Sequence, residues 1–111
     1  MFTFLIMSRK PNEDMPKDMA AAASEIAKVL FENDKVKVVE LKWKTGAKIP
    51  LHTHPTYFAY ALTSAKYKSR SSDGKIQTRT MKKGKVQWYD AESHAIDSMG
   101  KAGQALIVEL K

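Results

Sequence analysis

The chain has 111 residues, a formal net charge of +7 and no cysteine. This length is typical of one compact domain, and the absence of cysteine excludes disulfides, thiolate metal sites and cysteine nucleophiles. The 19 Lys and Arg residues are scattered along the chain and form neither a long run nor a basic helix. This distribution indicates a solvated sheet face and argues against nucleic-acid binding.

Residues 1–28 are predicted to form a short N-terminal arm, irregular or partly helical, that is either flexible or in contact with the partner subunit of a dimer. Pro11 and Pro16 interrupt its first part. Its apolar start, Phe2 to Ile6, precedes the nearest positive charges, which is the reverse of a secretory signal. No segment reaches the roughly 20 apolar residues that span a bilayer. We therefore expect a cytoplasmic protein without a membrane segment, in which Phe2 to Ile6 can extend a partner's sheet.

The rest of the chain, residues 29–111, is predicted to be a β-barrel domain. An alanine-rich stretch that begins at Met19 favours one or two helical turns before it. Val39, Leu41 and Trp43 then alternate with charged residues, as in a half-buried strand. A later apolar and aromatic run, after the first histidines, is typical of a strand that is buried on both faces.

Turn sequences separate the later strands. The pair Asp73-Gly74 is a strong two-residue hairpin signal and joins two strand-like segments, 66–71 and 75–80. Further strands are predicted at 85–89 and 104–110. Short strands with turns between them and almost no helix predict an all-β sandwich or barrel.

Three histidines are the candidate functional residues. His52 and His54 are separated by one residue, so both side chains project from the same face if a strand continues through them. Two imidazoles on one face can bind the same metal ion. His94 is the remaining histidine of the chain, and the fold would have to bring it next to the other two.

The first two histidines lie in a stretch that resembles the first sequence motif of the cupin superfamily, whose members are small antiparallel jelly-roll barrels. That motif has a glycine, then His-x-His after five residues, then a glutamate after three or four further residues. Gly46, His52 and His54 match it at the right spacing. Phe58 or Ala59 occupies the glutamate position, so the usual carboxylate ligand is missing.

The second cupin motif is matched less closely. Gly84 supplies its leading glycine, and Asp90 and Glu92 hold the positions of a Pro-x-Gly sequence. His94 comes one residue earlier than the motif requires, and Ser98 stands where asparagine is usual. The resemblance spans the predicted barrel domain and implies a cupin-type jelly roll in which all three histidines are metal ligands.

A three-histidine site suits a divalent transition metal, with Fe, Ni, Zn, Cu and Mn as candidates, and leaves coordination positions open for water or substrate. Because the motif glutamate is missing, the protein adds no negative charge and the ion would be a stronger Lewis acid. Glu92 is a candidate replacement ligand, since it shares a face with His94 in an extended segment. The alternative is a salt bridge between Glu92 and a lysine.

Aromatic residues are expected to line a cavity beside the histidines. Parity counted from His54 turns one face of the following strand inward, whereas a bulge at Pro55 would turn the other face inward. The first alternative points Phe58, Tyr60 and Leu62 inward, and the second points Tyr57, Ala59 and Ala61. The candidate pocket-lining residues are Phe58, Tyr60, Trp88, Glu92 and Trp43.

These features predict a metal-binding small cupin that takes a small-molecule ligand in an apolar and aromatic cavity. If the protein is an enzyme, the resemblance implies metal-dependent chemistry, with dioxygenation first and isomerisation or hydrolysis behind it. No catalytic residue is assigned from the sequence. The alternative is a non-catalytic cupin that binds a small molecule without metal. A homodimer is also expected, because small cupins commonly pair through their sheets.

Overall fold

The computed structural model describes residues 17–111, so the first part of the predicted arm, including Phe2 to Ile6, lies outside the described residues. Within this range the regular secondary structure is almost all β-strand, with one helical turn. The elements in chain order are β1 (Lys17–Asp18), α1 (Met19–Ala22), β2 (Ala27–Glu32), β3 (Val36–Trp43), β4 (Ile49–His54), β5 (Tyr57–Ala61), β6 (Ala65–Ser71), β7 (Ile76–Met81), β8 (Val86–Tyr89), β9 (Glu92–Ser98) and β10 (Gly103–Leu110).

The strands form two five-stranded sheets that pack face to face. Sheet I has the order β1-β4-β9-β6-β7, and sheet II has the order β2-β3-β10-β5-β8. All pairs are antiparallel except the short β1–β4 pair. The prediction of an all-β jelly roll is confirmed. The predicted Asp73-Gly74 turn joins β6 to β7, but Ser71 N–H donates to the Lys75 carbonyl, so the loop has three residues, 72–74, with Gly74 at a positive φ of 93°.

Alternation along each strand builds the core between the sheets. On β3, Val39, Leu41 and Trp43 are buried, as their spacing predicts. On β10 the buried residues are Ala105, Ile107 and Glu109. A carboxylate therefore stands at an inward position where an apolar residue would be the ordinary choice.

The first described residues pack onto the barrel. β1 pairs with β4, opposite His52 and Thr53. Met19 on α1 is 1% exposed and belongs to the core, and β2 begins at Ala27. Residues 17–28 are thus part of the packed domain, although the sequence assigned them to an arm. The single helical turn contributes one long apolar side chain, Met19, and that contact is too local to produce a hydrophobic period in the sequence.

A register irregularity in β4 orients the functional residues. The pairing of β4 with β9 shifts between Ile49 and His52. Ile49, His52 and His54 are all buried, whereas Pro50 and Leu51 between them are exposed. The extra residue lets both Ile49 and the two histidines face the core, which strict alternation over this odd spacing would not allow.

An apolar row crosses the outer face of sheet II. Its members are aligned by strand pairing from one edge of the sheet to the other. They are Phe31, Val38, Val108, Phe58 and Trp88. Phe31 and Trp88, at the two ends, are 54% and 53% exposed.

Among residues 17–111, no helix has the length and apolar character needed to cross a bilayer.

The close packing at the start of β10 gives a test of the core. A Cβ at Gly103 would lie 2.7 Å from Cζ2 of Trp43 and would also press on Thr63. Gly103→Ala should lower the free energy of unfolding by about 1–3 kcal/mol, because the core is already filled there. Urea denaturation measures this. Ala102→Ser at the exposed neighbouring position is the control and should change it by less than about 0.5 kcal/mol.

The homodimer expected from the sequence stays a prediction, and the apolar row is the surface on which to test it. A second copy packed there would cover the exposed Phe31 and Trp88. Trp88→Glu should then convert dimer to monomer, whereas Leu51→Glu, at an exposed position on sheet I, should not. Size-exclusion chromatography with light scattering measures the mass. A wild-type monomer at micromolar concentration would rule out this dimer.

Candidate metal centre

Three buried histidines meet between the two sheets. His52 and His54 lie on β4 and His94 lies on β9, and strand pairing places His52 directly opposite His94. The ring centroids are 4.6 to 5.3 Å apart, and each residue is at most 5% exposed. One ring nitrogen of each histidine lies within 4.8 Å of the others. The residues predicted as ligands therefore form a cluster that can hold a metal ion.

The two histidines of β4 are oriented by acceptors on their Nδ1 atoms. His52 Nδ1 donates to the backbone carbonyl of Pro50 at 2.7 Å. His54 Nδ1 donates to the carboxylate of Glu109, also at 2.7 Å. A carbonyl or a carboxylate can only accept a hydrogen bond, so the proton of each neutral ring is on Nδ1. The lone pair is then on Nε2, the nitrogen left for an ion.

His94 is held in the same way by a different partner. Its Nδ1 shares a hydrogen bond of 2.8 Å with the hydroxyl of Ser69, which is also buried. All three imidazoles are therefore engaged at Nδ1, and when the Ser69 hydroxyl accepts the Nδ1 proton of His94, Nε2 is the lone-pair atom in each. Ligand histidines in metalloproteins are usually fixed by such outer hydrogen bonds, and a carboxylate on one of them raises its basicity. The donor set thus fits a metal ion.

Burial keeps His52 and His94 neutral. Loss of solvation lowers the pKa of His52 to about 4, with a smaller contribution from the neighbouring His54. Loss of solvation likewise lowers the pKa of His94 to about 3, although the nearby Glu92 opposes the shift. Both rings are uncharged at pH 7, and a neutral imidazole is the form that binds a metal.

Glu92 lies next to the cluster but is bound to other side chains. Its two carboxylate oxygens accept hydrogen bonds of 2.8 and 2.9 Å from the guanidinium of Arg79, and the Tyr57 hydroxyl donates to it at 2.6 Å. Burial alone would raise the pKa of Glu92, but these bonds outweigh it and the pKa is about 2. Of the two alternatives for Glu92, the structure has the ion pair, with an arginine instead of a lysine.

The position of Glu92 also argues against a ligand role. Its Oε2 is 3.8 Å from His94 Nδ1, so it lies on the anchored side of that ring, away from Nε2. Tyr57 continues the contact, since its ring stacks on His54 at 4.0 Å and on Tyr89 at 4.9 Å. We call Arg79, Glu92 and Tyr57 the Arg79 network. It connects sheet I to sheet II beside the histidines.

A cavity of about 40 Å³ lies next to the three histidines. This is room for about one or two water molecules. The wall is mostly apolar, and flexible methionines contribute to it. Apolar residues of this wall include Met19, Leu41, Ile49, Met81, Met99 and Ile107.

None of the five predicted pocket-lining residues lines this cavity. Phe58 and Trp88 stack on each other at the outer face of sheet II, and Tyr60 lies on the same face. Trp43 is buried elsewhere and donates its Nε1 proton to the carbonyl of Lys101. Glu92 borders a neighbouring groove instead.

The physical reason for this correction lies between β4 and β5. The two strands belong to different sheets, so the chain crosses the barrel at Pro55 and Thr56. The alternation of inward and outward side chains counted from His54 therefore does not continue into β5. Tyr57, Ala59 and Ala61 are the buried residues of β5, as in the second alternative.

Glu109, Ser69 and Arg79 complete the site and are not predicted from the sequence. The sequence contains one indication of the role of Glu109. In β10 it alternates in step with Ala105 and Ile107, so it lies on the same face and is the polar residue among apolar ones. Nothing local distinguishes Ser69 or Arg79 from the other polar residues of their hairpin. Their roles depend on strands that are distant in sequence.

No protein family model matches the chain, and no curated protein matches it in sequence. Solved structures match it in three dimensions. A cupin domain from Bordetella pertussis Tohama I aligns with a TM-score of 0.69 and 21% identity, over 78% of this chain and 92% of that chain. A cupin superfamily protein from Desulfitobacterium hafniense DCB-2 aligns with a TM-score of 0.60 and 16% identity, over 77% and 75% of the two chains.

A variant of oxalate decarboxylase from Bacillus subtilis also matches, with a TM-score of 0.56 and 20% identity over 77% of this chain. The chain spans only 24% of the length of that protein. Another structure of the same decarboxylase concerns its Mn(II) centres. At these identities the likeness shows the fold.

The buried hydrogen bond between His54 and Glu109 gives a prediction about the site. Glu109→Gln keeps the shape of the side chain but removes its charge, so it should weaken metal binding about tenfold or more. Competition with a chromophoric chelator measures the affinity. Glu40→Gln is the control, because Glu40 on β3 faces away from the core. Equal affinities of wild type and Glu109→Gln would show that the carboxylate does not support the ligand.

Proposed function

The chain has the cupin fold, and from this fold and its three buried histidines we propose that it binds a divalent transition metal and acts with it on a small organic molecule. One observation carries the proposal. Each imidazole is anchored through Nδ1 by a separate partner, so three Nε2 atoms are left for one ion. Histidines that only fill a core have no need of this shared orientation.

His52, His54 and His94 would hold the ion, with Fe, Ni, Zn, Cu and Mn as candidates. The Mn(II) centres of the structurally similar oxalate decarboxylase support manganese among them. Bound to three neutral ligands, the metal would supply a Lewis acid with open coordination positions and, for the redox-active candidates, an electron-transfer centre. Glu109 would keep His54 oriented, and the apolar wall would exclude bulk water.

The leading reaction class is dioxygenation, with isomerisation and hydrolysis behind it. The apolar cavity of about 40 Å³ supports this order, because it is large enough for a diatomic gas beside the histidines. Because no carboxylate is a ligand, the ion would keep its full positive charge, which favours Lewis-acid chemistry in all three reaction classes. No side chain is assigned as general acid or base.

A second function, ligand binding without turnover or metal, is supported by a different observation. A polar groove of about 370 Å³ adjoins His94, and protein side chains alone form its walls. A small molecule could be retained there by hydrogen bonds alone. Protein that is isolated metal-free and keeps its melting temperature after chelation would favour this function.

Replacement of the histidines tests the metal proposal. Wild-type protein purified without a histidine tag should contain about one transition-metal ion per chain, and the His52→Ala/His94→Ala double variant should contain almost none. Thr53→Ala is the control, since Thr53 lies between the β4 histidines and bonds to Ser93. Elemental analysis gives the content. Unchanged metal in the double variant would refute the proposed site. Oxygen uptake by the metal-loaded wild type with small organic acids then tests dioxygenation.

A further inference from the structure

Two spaces of different size meet at His94. The cavity beside the three histidines has a volume of about 40 Å³, and the groove outside it has about 370 Å³. His94 lines both, and Ser69 and Glu92, which lie on the Nδ1 side of its ring, line the groove, so the groove adjoins His94 from its anchored side. The groove lies along β6, β7 and β9, and its polar wall includes Ser71, Lys75, Gln77, Arg79 and Glu92.

The sizes decide which space can take an organic molecule. The inner cavity holds only about one or two waters, which is too little for a molecule of several carbon atoms. The groove is within the range of about 300–1,000 Å³ that is usual for small-molecule sites. An organic ligand would therefore occupy the groove, with one end next to His94.

Arg79 is the strongest recognition group in the groove. Glu92 accepts one hydrogen bond from each of its two Nη atoms, and the guanidinium keeps further N–H donors that Glu92 does not use. The Arg79 side chain is 19% exposed and lines the groove. The guanidinium also lies over the ring of Tyr89, 5.1 Å from its centroid, which fixes its plane.

The charges of the groove favour an anion. Lys75 and Arg79 are cationic, and Glu92 is the one carboxylate in its wall. Glu92 and Arg79 neutralise each other, so the net positive charge of the wall comes from Lys75, which makes no ion pair within residues 17–111. A planar guanidinium pairs best with a planar two-oxygen group, which a carboxylate provides. The proposed divalent ion would add positive charge at the inner end of the groove.

We propose that this groove binds a small organic carboxylate, held by the unused N–H donors of Arg79 and by Lys75, with the rest of the molecule directed towards His94. The proposal deepens the proposed function by naming its substrate class and the place where the substrate binds. It does not require the ion for binding. The same groove would serve a ligand-binding protein without turnover.

Titration of metal-free protein with succinate, followed by NMR, tests the groove directly. Succinate should shift the resonances of Arg79 and His94 with saturation, and uncharged succinamide should not. Arg79→Gln should weaken succinate binding about tenfold or more, because it removes charged hydrogen bonds. Lys83→Gln is the matched control, since it removes one positive charge outside the groove and should leave the affinity unchanged.

Two further variants keep the test decisive if Arg79→Gln does not fold. Arg79→Lys keeps the charge but loses the planar fork, so succinate binding should still weaken. Lys75→Gln changes an exposed side chain and should weaken it about twofold to fivefold. Affinities equal to that of Lys83→Gln in both would overturn the proposal. So would equal binding of succinamide, or inorganic phosphate binding as tightly, which would indicate a general anion site.

Failure of this inference is distinct from failure of the proposed function. Metal content is measured on the same proteins, and Lys75→Gln, which lies outside the Arg79 network, should load metal like the wild type. A protein that binds succinate at Arg79 but never takes up metal would retain the groove and lose the metal-dependent reaction. A protein that takes up metal without binding succinate would retain the metal centre and lose this substrate class.

Discussion

Three imidazole rings buried between two sheets are the constraint on which the site depends. A buried polar ring is costly unless it is hydrogen-bonded, and each of these rings has one partner at Nδ1. The partners come from three places, namely the bulged part of β4, the middle of β6 and the end of β10. The same bonds that compensate the loss of hydration also fix which nitrogen stays free. The same three hydrogen bonds therefore stabilise the buried rings and orient them as ligands.

The pairing of β4 with β9 brings the three histidines together. It places His52 opposite His94, and the register shift in β4 turns His52 and His54 towards the core together with Ile49. Sheet II contributes no ligand, but Glu109 on β10 fixes His54 from that side. A change in the register of either strand would move the ligands to the outer face. The site thus requires both sheets, although its ligands lie in only one.

The Arg79 network divides the space around the histidines. On one side is a small apolar cavity, and on the other is a larger polar groove, with Glu92 and Tyr57 between the sheets at the boundary. Low polarity beside the ligands keeps His52 and His94 neutral, whereas the groove carries the charged donors. Separation of this kind lets one site combine a dry ligand set with recognition of a polar molecule.

The sequence alone determined most of the longer strands, the position of the turn at Asp73-Gly74 and the histidines, because alternation and turn chemistry act within a few residues. The tertiary structure decided which face of β5 is buried, since the chain changes sheets after His54 and the parity restarts. It also decided the partners of the ligands. Glu109 is 55 residues from His54 and Ser69 is 25 residues from His94, so no local pattern connects them. A two-residue period says which side chains share a face, but only the pairing of distant strands says what that face meets.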